Sequence, residues 1–390
     1  QNLFERGFDS FRLGYQSVLQ RFLAHPKTVM GGFFLVVTLS MLLLPWLGED
    51  FFPSVDAGQI KLHLRARSGT RIEETAALCD QIEAHIKTII PAFELESLAD
   101  NIGLPYSGIN LSYSTSAPIG PGDADIMISL KPGHQPTKEY VQMLRSSLSQ
   151  AFPSTSFAFL PADIVSQILN FGLPAPFDIQ ITGYDLAGNR EVANQLLAKV
   201  KKIPGAVDVR IQQAFDYPQI NLAVDRVKSA QMGFTQRDIA SNLLISLSGS
   251  FQTSPSFWVD NATGVQYSVS TMAPQYRLAD MKDLENTPLS NANGSNKQLL
   301  GNLANISRSA GQAVVSHYNV KPTIDIFGSV EGIDLGSVNK EIQALVNDPA
   351  LKLPKGTNVV VRGQVQTMQN SFQGLSWGIL GAIVLVYLLI

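Results

Sequence analysis

Two stretches of the chain are apolar without a break, and most of what lies between them alternates. Residues 28–47 hold 20 positions without a charge. As a helix rising about 1.5 Å per residue they cover roughly 30 Å, the thickness of a bilayer core. The run is too long for a cleavable leader and lacks a small-residue cleavage pattern. Pro45 and Trp46 stand where a helix end and an interfacial anchor are expected. Residues 374–390 are again uncharged, and the chain stops while still apolar, so further membrane helices are expected to follow. Residues 1–27 carry Arg6, Arg12, Arg21 and Lys27 against Glu5 and Asp9, with Phe4, Phe8, Phe11, Leu13, Tyr15 and Leu19 among them. That pattern suits a partly amphipathic segment on the cytoplasmic membrane face, since basic residues favour that side. One crossing later, residues 48–373 lie outside.

This outer part reads as one pattern used twice. A strand at 59–66 leads to a helix whose apolar face is Ile72, Ala76, Cys79, Ile82, Ile86 and Ile90. Thr70 and Glu73 are spaced as a capping box at its start. A strand at 94–101, a long Gly/Ser/Pro-rich loop, a strand at 126–130, a helix at 137–151 and a strand at 155–160 complete a split βαβ–βαβ unit of ferredoxin-like type. The second copy opens at Phe177, with a helix near 188–202 and a strand at 207–212. Its matching half begins only at Thr323, with a helix near 337–347 and a strand at 359–362. Roughly 100 residues are inserted between the halves. The insert has a helix at 235–246 headed by Thr235 and Asp238, and turn signals at Asp260–Val265 and around Asn293 and Gly294. It is too rich in Leu, Ile, Val and aromatic residues to be disordered. The expected fold is α+β: two ferredoxin-like units with an inserted mixed α/β subdomain, flanked by two transmembrane helices.

Composition removes several functions. The net charge of −3 offers no basic surface for nucleic acid. A single cysteine, Cys79, excludes internal disulfides and Cys-rich metal sites, and its place on an apolar helix face marks a packed thiol. There is no GxxxxGK[ST] phosphate loop, no GxSxG elbow and no HExxH. The five histidines (His25, His63, His85, His134, His317) are scattered. No enzyme and no cofactor are expected.

Local motifs add a resemblance. The segment Gly48-Glu-Asp-Phe-Phe-Pro-Ser-Val-Asp-Ala-Gly-Gln after the first span, Phe257-Trp-Val-Asp-Asn-Ala-Thr-Gly-Val-Gln-Tyr and Pro274-Gln-Tyr-Arg in the insert, and Arg362-Gly-Gln-Val-Gln-Thr-Met-Gln-Asn-Ser-Phe before the second span resemble resistance-nodulation-division (RND) transporters. The resemblance covers the whole chain. It implies a first porter subdomain at 50–175, a second at 176–216 with 319–365, a docking subdomain at 217–318, and membrane helices at 28–47 and 374–390. It further implies a homotrimer or heterotrimer in the bacterial inner membrane, a periplasmic adaptor, an outer-membrane channel and proton antiport.

By the same resemblance, Gly103, Pro105, Gly108 and Ile109 occupy the switch loop. Leu104, Tyr106, Met127, Phe157, Phe159, Arg210 and Gln212 match substrate-pocket positions. Lys61 is a departure: Gln59, Lys61 and His63 share one strand face where multidrug members are largely apolar. If that face lines the pocket, the pocket is more polar than theirs. Copper exporters carry methionines where this chain has Asp123 and Ile168, so small amphiphilic organic compounds are the expected cargo, in contact with the lipid bilayer. Heavy-metal export ranks below them, and a membrane-tethered periplasmic sensor is the reading from another class.

Overall fold

A computed structural model describes the protein at every residue except 1–2, 44–47, 51–55, 106–107, 113, 115, 171 and 390. Helix α1 (Leu3–Ala24) breaks at His25, and α2 (Pro26–Leu42) leaves it at 97°. Pro26 cannot donate to the preceding turn, yet it suits a helix's first position, where that donor would be idle. The side chains of α2 are largely exposed, among them Phe33, Phe34, Leu35 and Val36. Pro45 and Trp46 lie outside the described residues.

The first unit runs β1 (Gln59–Arg65), α3 (Ile72–Ile89), β2 (Leu95–Ile102), α4 (Gly108–Ser112), β3 (Asp123–Leu130), α5 (Thr137–Ala151), β4 (Ser156–Leu160) and α6 (Ile164–Leu169). Its sheet has the order β2-β3-β1-β4, and every neighbouring pair is antiparallel. Strand residues alternate between faces, so each face has its own chemistry. Ile60, Leu62, Leu64, Ile126 and Ile128 meet Cys79, Ile82 and Ile86 of α3 and Tyr140, Leu144 and Leu148 of α5 in one core. Burial, with the charge of Asp100 second, pushes the Cys79 thiol up to about 12, so it is an inert packed group. The expected Thr70–Glu73 capping box does not form. Thr70 Oγ1 donates to the Arg67 carbonyl at 2.7 Å, and α3 begins behind Arg71 without a side-chain cap.

The second unit opens with β5 (Phe177–Thr182), α7 (Leu186–Val200) and β6 (Ala206–Ile211). The insert follows: β7 (Tyr217–Val224), α8 (Arg226–Gln231), α9 (Gln236–Ser248), β8 (Ser256–Val259), β9 (Gln266–Val269), α10 (Met281–Glu285), β10 (Pro288–Ser290), β11 (Lys297–Leu299), α11 (Leu300–Leu303) and β12 (Ala304–Gly311). The capping box between Thr235 and Asp238 forms at the head of α9. Both turn signals close hairpins, β8 with β9 and β10 with β11. The insert has its own core of Phe234, Ile239, Leu284, Leu289, Leu300 and Leu303. Strand β13 (Ser316–Tyr318) returns the chain to the second unit, which ends with β14 (Lys321–Val330), α12 (Leu335–Val346) and β15 (Asn358–Gly363). The order β6-β14-β5-β15 repeats that of the first unit. Helix α13 (Gln364–Leu389) then continues for 26 residues, starting ten residues before the uncharged run. It is long and apolar enough to cross a membrane; α1 and α2 pass the same test only as a bent pair.

Candidate functional site

The face of the first sheet turned away from its helices is charged. Lys61, His63 and Arg65 of β1 stand opposite Met127, Asp125 and Asp123 of β3. His63 is 1% exposed. Its Nδ1 lies 2.7 Å from Asp125 Oδ1, and its Nε2 is buried without a hydrogen-bond partner. Lys61 Nζ lies 3.6 Å from the other oxygen of Asp125. Burial pushes the Asp125 carboxyl up, but His63, Ser116 and Lys61 outweigh it and hold it below the usual carboxylate range. Arg65 grips Asp123 with Nε at 2.8 Å and Nη2 at 3.2 Å. A cleft of about 530 Å³ opens over this face, walled by Lys61, Asn101, Asn110, Ser114, Ser116 and Asp125, with Gly103, Leu104 and Pro105 at its rim.

Across a seam stands the second unit. Arg65 Nη1 donates to the Gln212 carbonyl at 2.9 Å, and the Gln212 side-chain amide donates to the Ala117 carbonyl. Arg145 of α5 forms two parallel bonds to Asp208, at 2.9 and 3.0 Å, and a third to Glu331. Asp208 also accepts from the Phe159 backbone N–H at 3.0 Å. Burial first, and then Arg65, bring the Arg210 guanidinium down to about 10, so it stays charged at neutral pH. Its Nε and Nη2 have no partner, nor has Gln212 Oε1. Behind it, Asp178 and Asp325 share a buried face of the second sheet. Asp325 accepts from Gln180, Gln213 and Thr323. Burial and the neighbouring Asp325 charge raise Asp178 well above the usual range, and burial raises Asp325.

The structure brings some expected site residues together and separates others. Lys61, Gly103, Leu104 and Pro105 line the cleft. Gly103 sits at φ +77°, where a Cβ would come within 3.1 Å of Ile72, so the turn out of β2 needs glycine. Gly108 and Ile109 form the first turn of α4, and Ile109 is 69% exposed. Met127 shares the charged face beside Lys61 and is 40% exposed. Tyr106 lies outside the described residues. Arg210 and Gln212 sit in the seam rather than in the cleft wall. Phe157 and Phe159 do share a face, as expected, but it is the helix side. They pair with Leu64 and Leu62 and pack against the first core rather than in the wall of the charged cleft. Phe159 additionally borders a second cavity of about 790 Å³ between the units. Of the two faces of β1, the polar one lines the cleft.

Sequence reasoning missed the His63–Asp125, Arg65–Asp123 and Arg145–Asp208 pairs. The first two had a signal: Asp123, Asp125 and Met127 alternate, which extends β3 three residues earlier than the apolar run alone. The third joins positions 63 residues apart with no local pattern. Among the described residues, no group of three or more His, Cys, Asp or Glu side chains is arranged to hold a metal ion.

The architecture has solved counterparts. Two crystal forms of a heavy metal efflux pump match it with TM-scores of 0.79 and 0.77 at 22% identity, covering 97% and 92% of this chain and 38% and 36% of theirs. The mixed α+β fold is thus one that this chain shares with that pump. The chain belongs to the AcrB/AcrD/AcrF family, whose sequence model matches residues 1–390. Among its relatives, the cation efflux system protein CzcA of Alcaligenes sp. (strain CT14) is 23% identical over 96% of this chain and 35% of its own length. Protein HelA of Legionella pneumophila is 24% identical over 93% and 34%. The cation efflux system protein CusA of Escherichia coli (strain K12) is 22% identical over 96% and 35%. The chain spans about a third of the length of these relatives.

Proposed function

We propose that this chain is the periplasmic porter and docking part of an inner-membrane RND efflux transporter, and that its cargo is a metal cation. The two βαβ units act as ferredoxin-like porter subdomains and the insert as the docking subdomain, with α2 and α13 in the membrane. A trimer works with a periplasmic adaptor and an outer-membrane channel. One observation carries the cargo: the His63–Asp125 pair. A carboxylate that holds Nδ1–H fixes the imidazole tautomer and leaves the Nε2 lone pair for a metal, the usual outer-shell arrangement of a metal-binding histidine. Lys61 then stands where an arriving cation would displace its ammonium from Asp125. An incomplete donor set suits cargo, which must leave as well as enter, better than it suits a resident ion. The names of CzcA and CusA support the same cargo. This replaces the organic compounds expected from sequence, which were ranked first because Asp123 and Ile168 are not thioethers. Imidazole and carboxylate serve borderline cations such as Zn²⁺, Co²⁺ and Ni²⁺ without sulfur.

A second reading keeps amphiphilic organic cargo. It rests on Leu104, which is 48% exposed at the rim of the cleft. The test uses the full-length gene in a host stripped of its own pumps. Tolerance to zinc, cobalt, nickel and copper is scored beside accumulation of a lipophilic cationic dye, with and without an uncoupler. Uncoupler-sensitive metal tolerance that His63→Ala removes is the expected result. Dye export that survives His63→Ala, without metal tolerance, would move the cargo to the organic class.

A further inference from the structure

We infer that Arg145, Asp208 and Glu331 form a releasable clasp that holds the two porter units together, working against a seam that is otherwise poorly satisfied. The clasp is built across the units. Arg145 projects from α5 of the first, Asp208 from β6 and Glu331 from the end of β14 in the second. The guanidinium gives its Nε and Nη2 to the two oxygens of Asp208 and its Nη1 to Glu331, so every nitrogen has a partner. It also lies 5.0 Å from the centre of the Phe159 ring. Such a planar, bidentate pair is directional, and a lysine could not replace it.

Asp208 reaches across because its backbone is bent for the purpose. Its φ is +56°, the left-handed region that a non-glycine residue adopts at a cost. Here β6 bulges: Asp208 and Val209 together face Gly328, between the pairs Arg210–Phe327 and Val207–Ser329. A bulge re-aims a side chain that would otherwise stay in register. In this strand it turns a carboxylate into the neighbouring unit, where it meets both Arg145 and the Phe159 N–H.

The seam opposes the clasp. Closed as it stands, it buries Arg210 Nε and Nη2 and Gln212 Oε1 without protein partners. Each of these atoms regains a hydrogen bond when water enters, so parting the units recovers what closure loses. A tight ion-pair clasp on one side and polar atoms without protein partners on the other pull in opposite senses, the condition for a switch rather than a fixed interface. Opening would also uncover the guanidinium edge of Arg210.

The clasp rests on the porter reading only in that the units part, and it holds for any cargo. The test is made on the full-length transporter in nanodiscs. Spin labels are placed at Ser146→Cys in the first unit and Lys202→Cys in the second, both exposed and outside the clasp. Cys79, the one cysteine of this chain, is buried and stays unlabelled, and any cysteine elsewhere in the full-length protein is first replaced by serine. Pulsed electron resonance reads the distance distribution without cargo. Arg145→Met and Asp208→Asn should each move population to distances several ångströms longer, and Glu331→Gln should do so less. The double variant should widen the seam no further than either single one, because both remove the same pair. Distributions that match the wild type would overturn the clasp. So would additive widening in the double variant, which would mean general loosening. Because width is read without metal, failure of the metal test leaves the clasp standing, and failure here leaves the His63 test standing.

Discussion

The two units have one fold and opposite electrostatics. In the first, the sheet face away from the helices gives each acid a cation: Asp123 has Arg65, and Asp125 has Lys61, with the His63 ring hydrogen-bonded to its other oxygen. In the second, Asp178 and Asp325 sit on a comparable face, with amide and hydroxyl donors around Asp325 and only the Arg362 charge set against their mutual repulsion at Asp178. The topology decides where such groups stand and leaves open whether they are paired. The first face is therefore held as ion pairs. The second carries a buried acid that prefers its proton.

The difference can be broken from either side. The largest effect should come from Asp123→Ala, which strands the Arg65 guanidinium in the seam. Removing one partner of a buried pair costs about 3–5 kcal/mol, read as a lower midpoint in denaturant unfolding. Loss below 1 kcal/mol would mean that water already serves Arg65. Asp178→Asn should act in the opposite direction, stabilising by about 1–2 kcal/mol at neutral pH by removing an acid that must either ionise in a dry site or keep its proton. Its sign follows from the raised pKa. Folding favours the protonated acid, so its contribution is full below the ordinary aspartate range near pH 4 and is lost as pH rises through the higher folded value. Stability should thus rise when the wild type is taken from pH 7 to pH 5, and Asp178→Asn should flatten that rise. Asp125, held low, contributes in the reverse sense. Its share is present above the ordinary range and lost only as pH falls through its lower folded value. A wild-type profile that rises toward alkali between pH 5 and 7 would sink this contrast. The smallest effects compare the two helix starts. Thr235→Ala should cost about 1 kcal/mol by thermal unfolding, because its capping box is formed, and Thr70→Ala a few tenths. Equal costs would mean that Thr70 caps α3 after all.

Most of the scaffold could be read from the chain because it is periodic. Helix α5 was expected at residues 137–151 and is found there, since Tyr140, Leu144 and Leu148 repeat on one face. What escaped was decided by groups far apart. The Thr70 and Thr235 motifs look alike in sequence, yet only one hydroxyl stays with its helix; the other is taken by a carbonyl three residues back. Phe157 and Phe159 were known to share a side, but alternation alone does not say which side meets the helices. Asp123 and Asp125 disguised the start of β3, because a strand pattern built on apolar residues stops at the first charge. The Arg145 clasp could not be found at all, for its partners are brought together only when two separately closed units meet.

The insert leaves and rejoins the second unit through one antiparallel pair, β7 and β12, which runs from Tyr217 opposite Gly311 to Val224 opposite Ala304. To the host sheet it is a closed loop on a two-stranded neck, and lengthening a loop costs little more once its ends are joined. The neck also touches the loop that borders the cleft. A Cβ on Gly120 would come within 2.9 Å of the Tyr217 hydroxyl, so the loop facing the cleft rests directly on the root of the insert. A tilt of the insert against a neighbouring protein would be delivered at that point, as a handle moves a latch.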